Sequence, residues 1–523
     1  MLGVKPLFVF LVMFACFKIL AQAPDIAWQK CLGGSGYDNA FCIQKTPDGG
    51  FIVAGYSGSL DGDVTGFQGG AADYWVVKLT ATGIIDWQKC YGGSGWENAR
   101  SIIYTSDAGY IIAGFSASSD GDLSLNHGFD DCWIIKINAL GEIEWQNSYG
   151  GTKSEWANSI QQTSDGGYIF AGFSYSNDGD VSGHHGTTEF EDGWVVKLNA
   201  EGSLLWQKSF GGTDDDIITS IQQISDGGYL VAGTTYAGFG ANWDYWIFKL
   251  NSSGEIQWEK ELGGSDTDMS INNIETSDGS FVISAGFTDS NDGDVSGNHA
   301  EGHSDYWLIK LDSLGMLLWQ KCYGGTKDDA AKSIIQTFDK GFIIAGVSVS
   351  NDGDVTGHHG GISSGDYWVL KIDTVGNIQW QKSLGGNAFD AAYSIIESLD
   401  SGFVIAGSSN STDGDVTGLH GGGIPIDYWI VKLDKPCNHL PYYSDLDADG
   451  YGDITAMIYS CFDTTGYVLD NTDCNDSVGE INPGIMIDMC NNLDDNCDGL
   501  TDEDAVFLTW YFDADGDGYG NVL

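Results

Sequence analysis

Aspartates set two residues apart around a glycine recur along this chain, and closely spaced carboxylates on a bent backbone are the donors that hard cations use. Near the C-terminus Asp445, Asp447, Asp449 and Asp453 form such a run, with Gly450 sixth, where a cation loop turns sharply. Asp494, Asn496, Asp498 and Asp502 repeat the pattern, and Asp513, Asp515, Asp517 and Asn521 repeat it again. Three copies of one oxygen-donor spacing predict calcium. A second set is Asp-Gly-Asp, found as Asp61/Asp63, Asp120/Asp122, Asp178/Asp180, Asp292/Asp294, Asp352/Asp354 and Asp413/Asp415. Calcium is one reading of these loops, joined by an aspartate ahead of a tryptophan, such as Asp73 or Asp305. The other is a turn whose carboxylates cap loop amides.

Most histidines fall in the same loops, among them His127, His184, His185, His299, His303, His358, His359 and His420. Converging imidazoles would suit a transition metal or respond to mild acid; the alternative is solvated side chains in glycine-rich loops. No nucleophile elbow, phosphate loop, dinucleotide fingerprint or tight zinc spacing stands out. Paired carboxylates keep a polysaccharide-active, glycosidase-like enzyme as an alternative. Acids repeated in nearly every unit, however, are not the unique pair that glycoside hydrolysis uses.

These loops punctuate a repeat of about sixty residues. One tryptophan recurs at Trp28, Trp87, Trp145, Trp206, Trp258, Trp319 and Trp380; a second at Trp75, Trp133, Trp194, Trp246, Trp307, Trp368 and Trp429. Each copy reads as four strands: an ARSIIYT type, an unbroken apolar YIIAG type, DYWVVKL, and an alternating EIEWQ type. The pattern predicts an all-β fold, a seven-bladed β-propeller of four-stranded antiparallel blades over residues 22–434. Because the repeats begin on a fourth-strand segment and end on a third strand, the N-terminal strand is expected to close the ring. A seven-coil β-solenoid is the alternative.

The 523 residues carry a net charge of −52, a field that repels phosphate backbones and anionic lipid, so nucleic-acid partners are excluded. Residues 1–21 read as a secretory signal, with Lys5 before the apolar run Leu7 to Phe17 and cleavage after Ala21. That run is too short to span a bilayer, and no later stretch serves as a transmembrane helix. Residues 437–523 hold no Lys or Arg, and Cys437, Cys461, Cys474, Cys490 and Cys497 are candidates for staples of open connectivity. This acidic, cysteine-bearing part is expected to be a small irregular module held by calcium and disulfides. The chain is expected to continue past Leu523.

The run DCNDSVGEINPGIMIDMCNNLDDNCDGLTDE resembles the MopE-type metal-binding motif of secreted bacterial proteins, and the DADGYGD segments resemble thrombospondin type 3 calcium repeats. The MopE-type name implies copper, but only Met486 and Met489 stand there as soft donors, so calcium is the better supported ion. The sixty-residue units, with GG, DGG(Y/F)I, DGDV, DYW and WQK segments, resemble secreted repeat proteins of Bacteroidetes exported by the type IX system. That resemblance implies a secreted or cell-surface location. The combined expectation is a non-enzymatic binding or adhesion protein, stabilised by calcium, with an extracellular glycan or protein as ligand; copper capture is a further alternative.

Overall fold

The computed structural model describes residues 22–236, 242–361, 364–420, 426–435, 440–460, 465–485, 489 and 491–502. The signal segment 1–21, Cys437, Cys461, Cys490 and the loop of Asp513, Asp515, Asp517 and Asn521 lie outside these residues. The chain divides into two compact units, residues 1–435 and 436–523.

In the first unit the repeats form seven four-stranded antiparallel sheets. Sheet one comprises Asp38–Lys45, Phe51–Ser57, Asp73–Leu79 and Ile85–Tyr91. Sheets two to six follow the same order. Sheet seven joins Asp390–Glu397, Phe403–Ser409 and Asp427–Leu433 to Ile26–Leu32 from the start of the chain. Burial follows the sequence pattern. The second and third strands of most sheets are buried along their length, as their unbroken apolar runs require, whereas fourth strands such as Leu204–Phe210 begin exposed.

The recurring tryptophans explain how strands and sheets are held. Within a sheet the third-strand indole donates to a fourth-strand glutamine: Trp75 to Gln88 at 2.7 Å, Trp368 to Gln381 at 2.8 Å. In sheet seven Trp429 finds Gln29 at 2.9 Å, using the N-terminal strand. Between sheets a tyrosine hydroxyl reaches the backbone carbonyl of the next tryptophan: Tyr74 to Trp133, Tyr306 to Trp368, Tyr367 to Trp429, and Tyr428 to Trp75.

The expected closed seven-bladed propeller is corrected by these ladders. No sheet closes on itself or continues into the next, and every sheet keeps two edge strands. The physical reason is that buried tyrosine and tryptophan faces join the sheets, and the backbone bonds that cross between them are isolated links at the loop end, such as Asp38 N to the Ile426 carbonyl and Glu97 N to that of Ala72, rather than a shared ladder. The architecture is all-β, built of open four-stranded antiparallel sheets.

Each first strand carries a β-bulge three residues after its leading acid. The extra residue is Phe41, Arg100, Asn158 and Thr219 in sheets one to four, and Ile271, Lys332 and Tyr393 in sheets five to seven. A bulge re-aims a side chain out of the regular alternation. The glycine of the YIIAG segment permits it. A Cβ on Gly114 would stand 1.9 Å from the Asn98 carbonyl oxygen beside the bulge, and one on Gly172 would stand 1.8 Å from that of Trp156.

In the second unit Leu440–Ser444 pairs with Asp453–Ser460 and with Tyr467–Val468. Cys474 and Cys497 form a disulfide.

Candidate functional site

The Asp-Gly-Asp loops and the Gly-Gly turns meet in six of the seven sheets, all but the fourth, at the end where the first strand begins. There the first aspartate accepts from a turn amide: Ser35 N to Asp61 at 2.6 Å, Ser94 N to Asp120, Thr152 N to Asp178, Ser265 N to Asp292, Thr326 N to Asp352, and Asn387 N to Asp413 at 2.7 Å. The second aspartate faces the glycine amide. Gly33 N to Asp63, Gly150 N to Asp180 and Gly385 N to Asp415 are each 3.3 Å, and Gly92 N to Asp122 is 3.2 Å. Asp294 and Asp354 donate their own amides to the carbonyls of Gly263 and Gly324. These carboxylates therefore lie against backbone donors.

Buried acids stand behind the loops. The leading acid of each first strand accepts from the Gly-Gly turn, as Gly34 N does to Asp38 at 2.8 Å and Gly325 N to Asp329 at 2.8 Å. The aspartate opening each third strand takes both the backbone amide and Nδ1 of a loop histidine in five sheets. His127 serves Asp131, His185 Asp192, His299 Asp305, His359 Asp366 and His420 Asp427. Three of these histidines bridge two carboxylates, their Nε2 facing the second loop aspartate of the next sheet: His299 to Asp354 at 3.7 Å, His359 to Asp415 at 3.8 Å and His420 to Asp63 at 3.5 Å. In sheet one Gln68 N takes the histidine's place on Asp73. Burial pushes Asp73 up to about 7 against that amide bond, with Glu97 and Asp122 adding to the rise. Burial likewise takes Asp329 to about 7, and Asp268, Asp390 and Asp427 to about 6.

The second unit disposes its acids differently. Asp445, Asp447 and Asp476 bring carboxylate oxygens within 4.8 Å of one another, and so do Asp447, Asp449 and Asp473. Asp447 belongs to both groups. Both of its oxygens, Oδ2 of Asp449 and Oδ2 of Asp473 are buried without a hydrogen-bond partner. Asp473 is 7% exposed. Desolvation raises the carboxyls of Asp447 and Asp473, and their acidic neighbours add to it. Such a cluster can hold a metal ion. Asp473, Cys474 and Cys497 also converge, but the two sulfurs are committed to the disulfide and offer no thiolate.

Of the first tail loop, Asp445, Asp447 and Asp449 enter these groups. Asp453 turns aside and accepts from the amide and hydroxyl of Thr455. Asp473 and Asp476 are the residues sequence spacing missed; they sit in the Asp-Cys-Asn-Asp run thirty residues on, brought in by the bridge of Asp473 to Asp453, with Asp473 N on the Gly452 carbonyl, and by the bond from Leu446 N to Asp476. The second loop repeats the local turn of the first. Gly499 N donates to Asp494 as Gly450 N does to Asp445, Asp498 N donates to Asn496, Leu500 N to Asp498, and Asn491 N to Asp502. The convergent metal-type groups among the described residues all fall in this unit.

No family model matches the sequence. The chain is similar to the regulatory protein FlaEY of Caulobacter vibrioides, with 28% identity over 214 residues, 40% of this chain and 20% of that protein. The chain thus spans about a fifth of the length of that curated relative. Among solved structures it is similar to extracellular domains 1–2 of Drosophila Semaphorin 1b, at 7% identity and a TM-score of 0.44 over 86% of this chain and 96% of that one. The Neurospora crassa Pan2 WD40 domain is similar at 10% identity and a TM-score of 0.41, over 77% and 95%. These are distant, low-identity likenesses.

Proposed function

We propose that the chain is a secreted or cell-surface binding protein, non-enzymatic, whose acidic C-terminal module at residues 437–523 is held in shape by calcium. The observation that carries this reading is Asp447, whose two unpartnered buried oxygens stand between Asp445 and Asp476 on one side and Asp449 and Asp473 on the other. Carboxylates crowded this closely repel one another unless a cation lies among them. An all-oxygen donor set favours calcium over copper, which prefers imidazole and sulfur. Asp494, Asn496, Asp498 and Asp502 supply a second, similar loop. Export through the leader at residues 1–21 is part of the same proposal. It accords with the disulfide, which persists in oxidising compartments.

Protein purified without chelator and analysed for metals is expected to carry calcium in preference to copper or zinc. Its thermal transition is expected to fall on adding chelator and to return with calcium. Equal transitions with and without chelator would overturn the reading, and copper recovered in stoichiometric amount would replace it with metal capture.

A further inference from the structure

The bulged residues of the first strands lead to a second site, independent of the metal. All seven face one cavity of about 330 Å³. Below them the wall is nearly uniform, with serine at the next position in sheets two, three, four, six and seven. These serines belong to the scaffold. Ser394 accepts from Ile43 N at 3.2 Å, Ser159 from Ile221 N at 3.3 Å and Ser333 from Ile395 N at 3.2 Å, so each ties the edge of a neighbouring first strand. The bulged position differs in every sheet. A repeat that holds its framework constant and varies one inward side chain has separated fold from recognition.

Two of those side chains are cations. Arg100 is the one arginine of the chain, and Lys332 stands in the same wall. Neither has a carboxylate within ion-pair distance or a hydrogen bond among the described residues, although the chain carries 74 acids. Nε of Arg100 is buried and unpartnered. The guanidinium is instead fixed by rings, 4.6 Å from the centroid of Phe41 and 5.5 Å from that of Trp156. Burial lowers the pKa of both cations, a cost that a bound anion would relieve. The fold does not require charge here, because sheets one and five place Phe41 and Ile271 at the same bulge. Half-buried, unpaired cations where apolar residues also fit are groups kept for a ligand.

We propose that this cavity binds a small monoanionic sugar acid of the hexuronate class. A carboxylate matches the fork of a guanidinium already oriented by stacking. Tyr393 and Phe41, whose rings meet edge to face at 5.1 Å, offer an apolar wall for a sugar face; Asn158, whose Nδ2 is held by the Ile218 carbonyl, keeps Oδ1 as an acceptor, and the serine hydroxyls that accept from the scaffold keep a proton to donate to ring hydroxyls. The volume suits one ring, and two cations within a chain of net charge −52 suit one negative charge better than several. This gives a ligand to the binding role proposed above, without depending on the tail's metal.

Titration calorimetry of the full chain in calcium-containing buffer, with D-galacturonate and D-glucuronate as probes, tests it. At least one is expected to bind saturably, with D-galactose and acetate at least about tenfold weaker. R100F, which installs the residue sheet one carries at this place, and K332Q are each expected to weaken binding about tenfold or more while the thermal transition stays at or above that of the parent. D61N is expected to leave binding unchanged. No saturable binding by either uronate, equal binding of acetate or galactose, or full affinity in both R100F and K332Q would overturn the assignment. A failure here with calcium-dependent stabilisation intact would leave the metal reading untouched.

Discussion

Aspartate beside glycine has opposite fates in the two units. In the sheet unit Asp61, Asp120, Asp178, Asp292, Asp352 and Asp413 each meet a backbone amide, so the charge is used up in holding a turn. In the C-terminal unit both oxygens of Asp447 are buried without a hydrogen-bond partner, among the carboxylates of Asp445, Asp449, Asp473 and Asp476. The residue pattern is nearly the same; what differs is that the tail brings its carboxylates together. Glycine-glycine turns present unpaired amides in every repeat, and the sheets place them against the loop. The tail caps its turns in the same way, as Gly450 N does to Asp445 and Leu446 N to Asp476, but its loop also folds Asp447 in among four other carboxylates, whose charge is left to be neutralised from solution.

The largest expected effect tests that contrast directly. Calcium at a thousand times its dissociation constant adds about 4 kcal/mol to the stability of a unit that binds it only when folded. Proteolysis of the chelated protein should therefore cut within residues 436–523 and spare the sheets, and calcium should suppress the cuts. D447A should abolish this protection at every calcium concentration. Cutting in the sheet unit on chelation would show that its loops depend on metal as well.

A smaller effect comes from the buried acids of the sheets. Asp73 and Asp329 titrate near 7, and Asp268, Asp390 and Asp427 near 6, all above the unfolded value of about 3.9 because burial disfavours their charge. Between about pH 4 and 7 the folded state keeps protons that the unfolded chain has released, so their contribution is full below that window and is lost as pH rises through it. Asp48 and Asp165 act oppositely. Despite partial desolvation, Lys78 and Thr46 hold Asp48, and Thr163 and Lys197 hold Asp165, near 2, and their contribution is lost as pH falls below about 4. The thermal transition of chelated protein should peak near pH 4 to 5 and fall by several degrees toward pH 8. A transition that rises steadily from pH 5 to 8 would show the buried acids to be ionised and paired throughout.

The sheets were legible because their signal is local and repeated. Apolar runs such as YIIAG, the turn before them and the paired tryptophans each report on a single strand, and all seven copies agree. How the sheets join was not legible, because Tyr428 and Trp75 are far apart in sequence and nothing in either residue distinguishes a face contact from a shared ladder. The tail site was half legible. Asp445, Asp447 and Asp449 follow a local spacing, whereas Asp473 and Asp476 arrive through a bridge to Asp453 and a bond from Leu446 N that no spacing encodes. The bulge was invisible for a different reason. An inserted residue shifts the register by one, and in ENARSIIY the shift at Arg100 looks like an ordinary break in alternation. The glycine opposite carried the signal, but a glycine in a strand fits a close approach of neighbouring sheets equally well. The nearest atom is in fact the same sheet's own carbonyl, with Tyr74 Oη of the neighbouring sheet second at 2.7 Å from a Cβ on Gly114.

The smallest effect asks whether the loop carboxylates are caps and nothing more. Asp352 accepts from the amide of Thr326 at 2.7 Å and from its hydroxyl at 2.6 Å, both at the exposed rim. Asparagine keeps one acceptor oxygen and loses the charge, whereas alanine loses both. If the role is capping, D352A should cost about 1 kcal/mol and D352N less, because a neutral oxygen still satisfies the amide. If the loop instead held a cation, D352N would be as damaging as D352A, and both would reduce the stabilisation by calcium. Denaturant midpoints of the two variants, each with and without calcium, separate the cases. The expected result is a ranking of parent above D352N above D352A, with the calcium increment the same in all three.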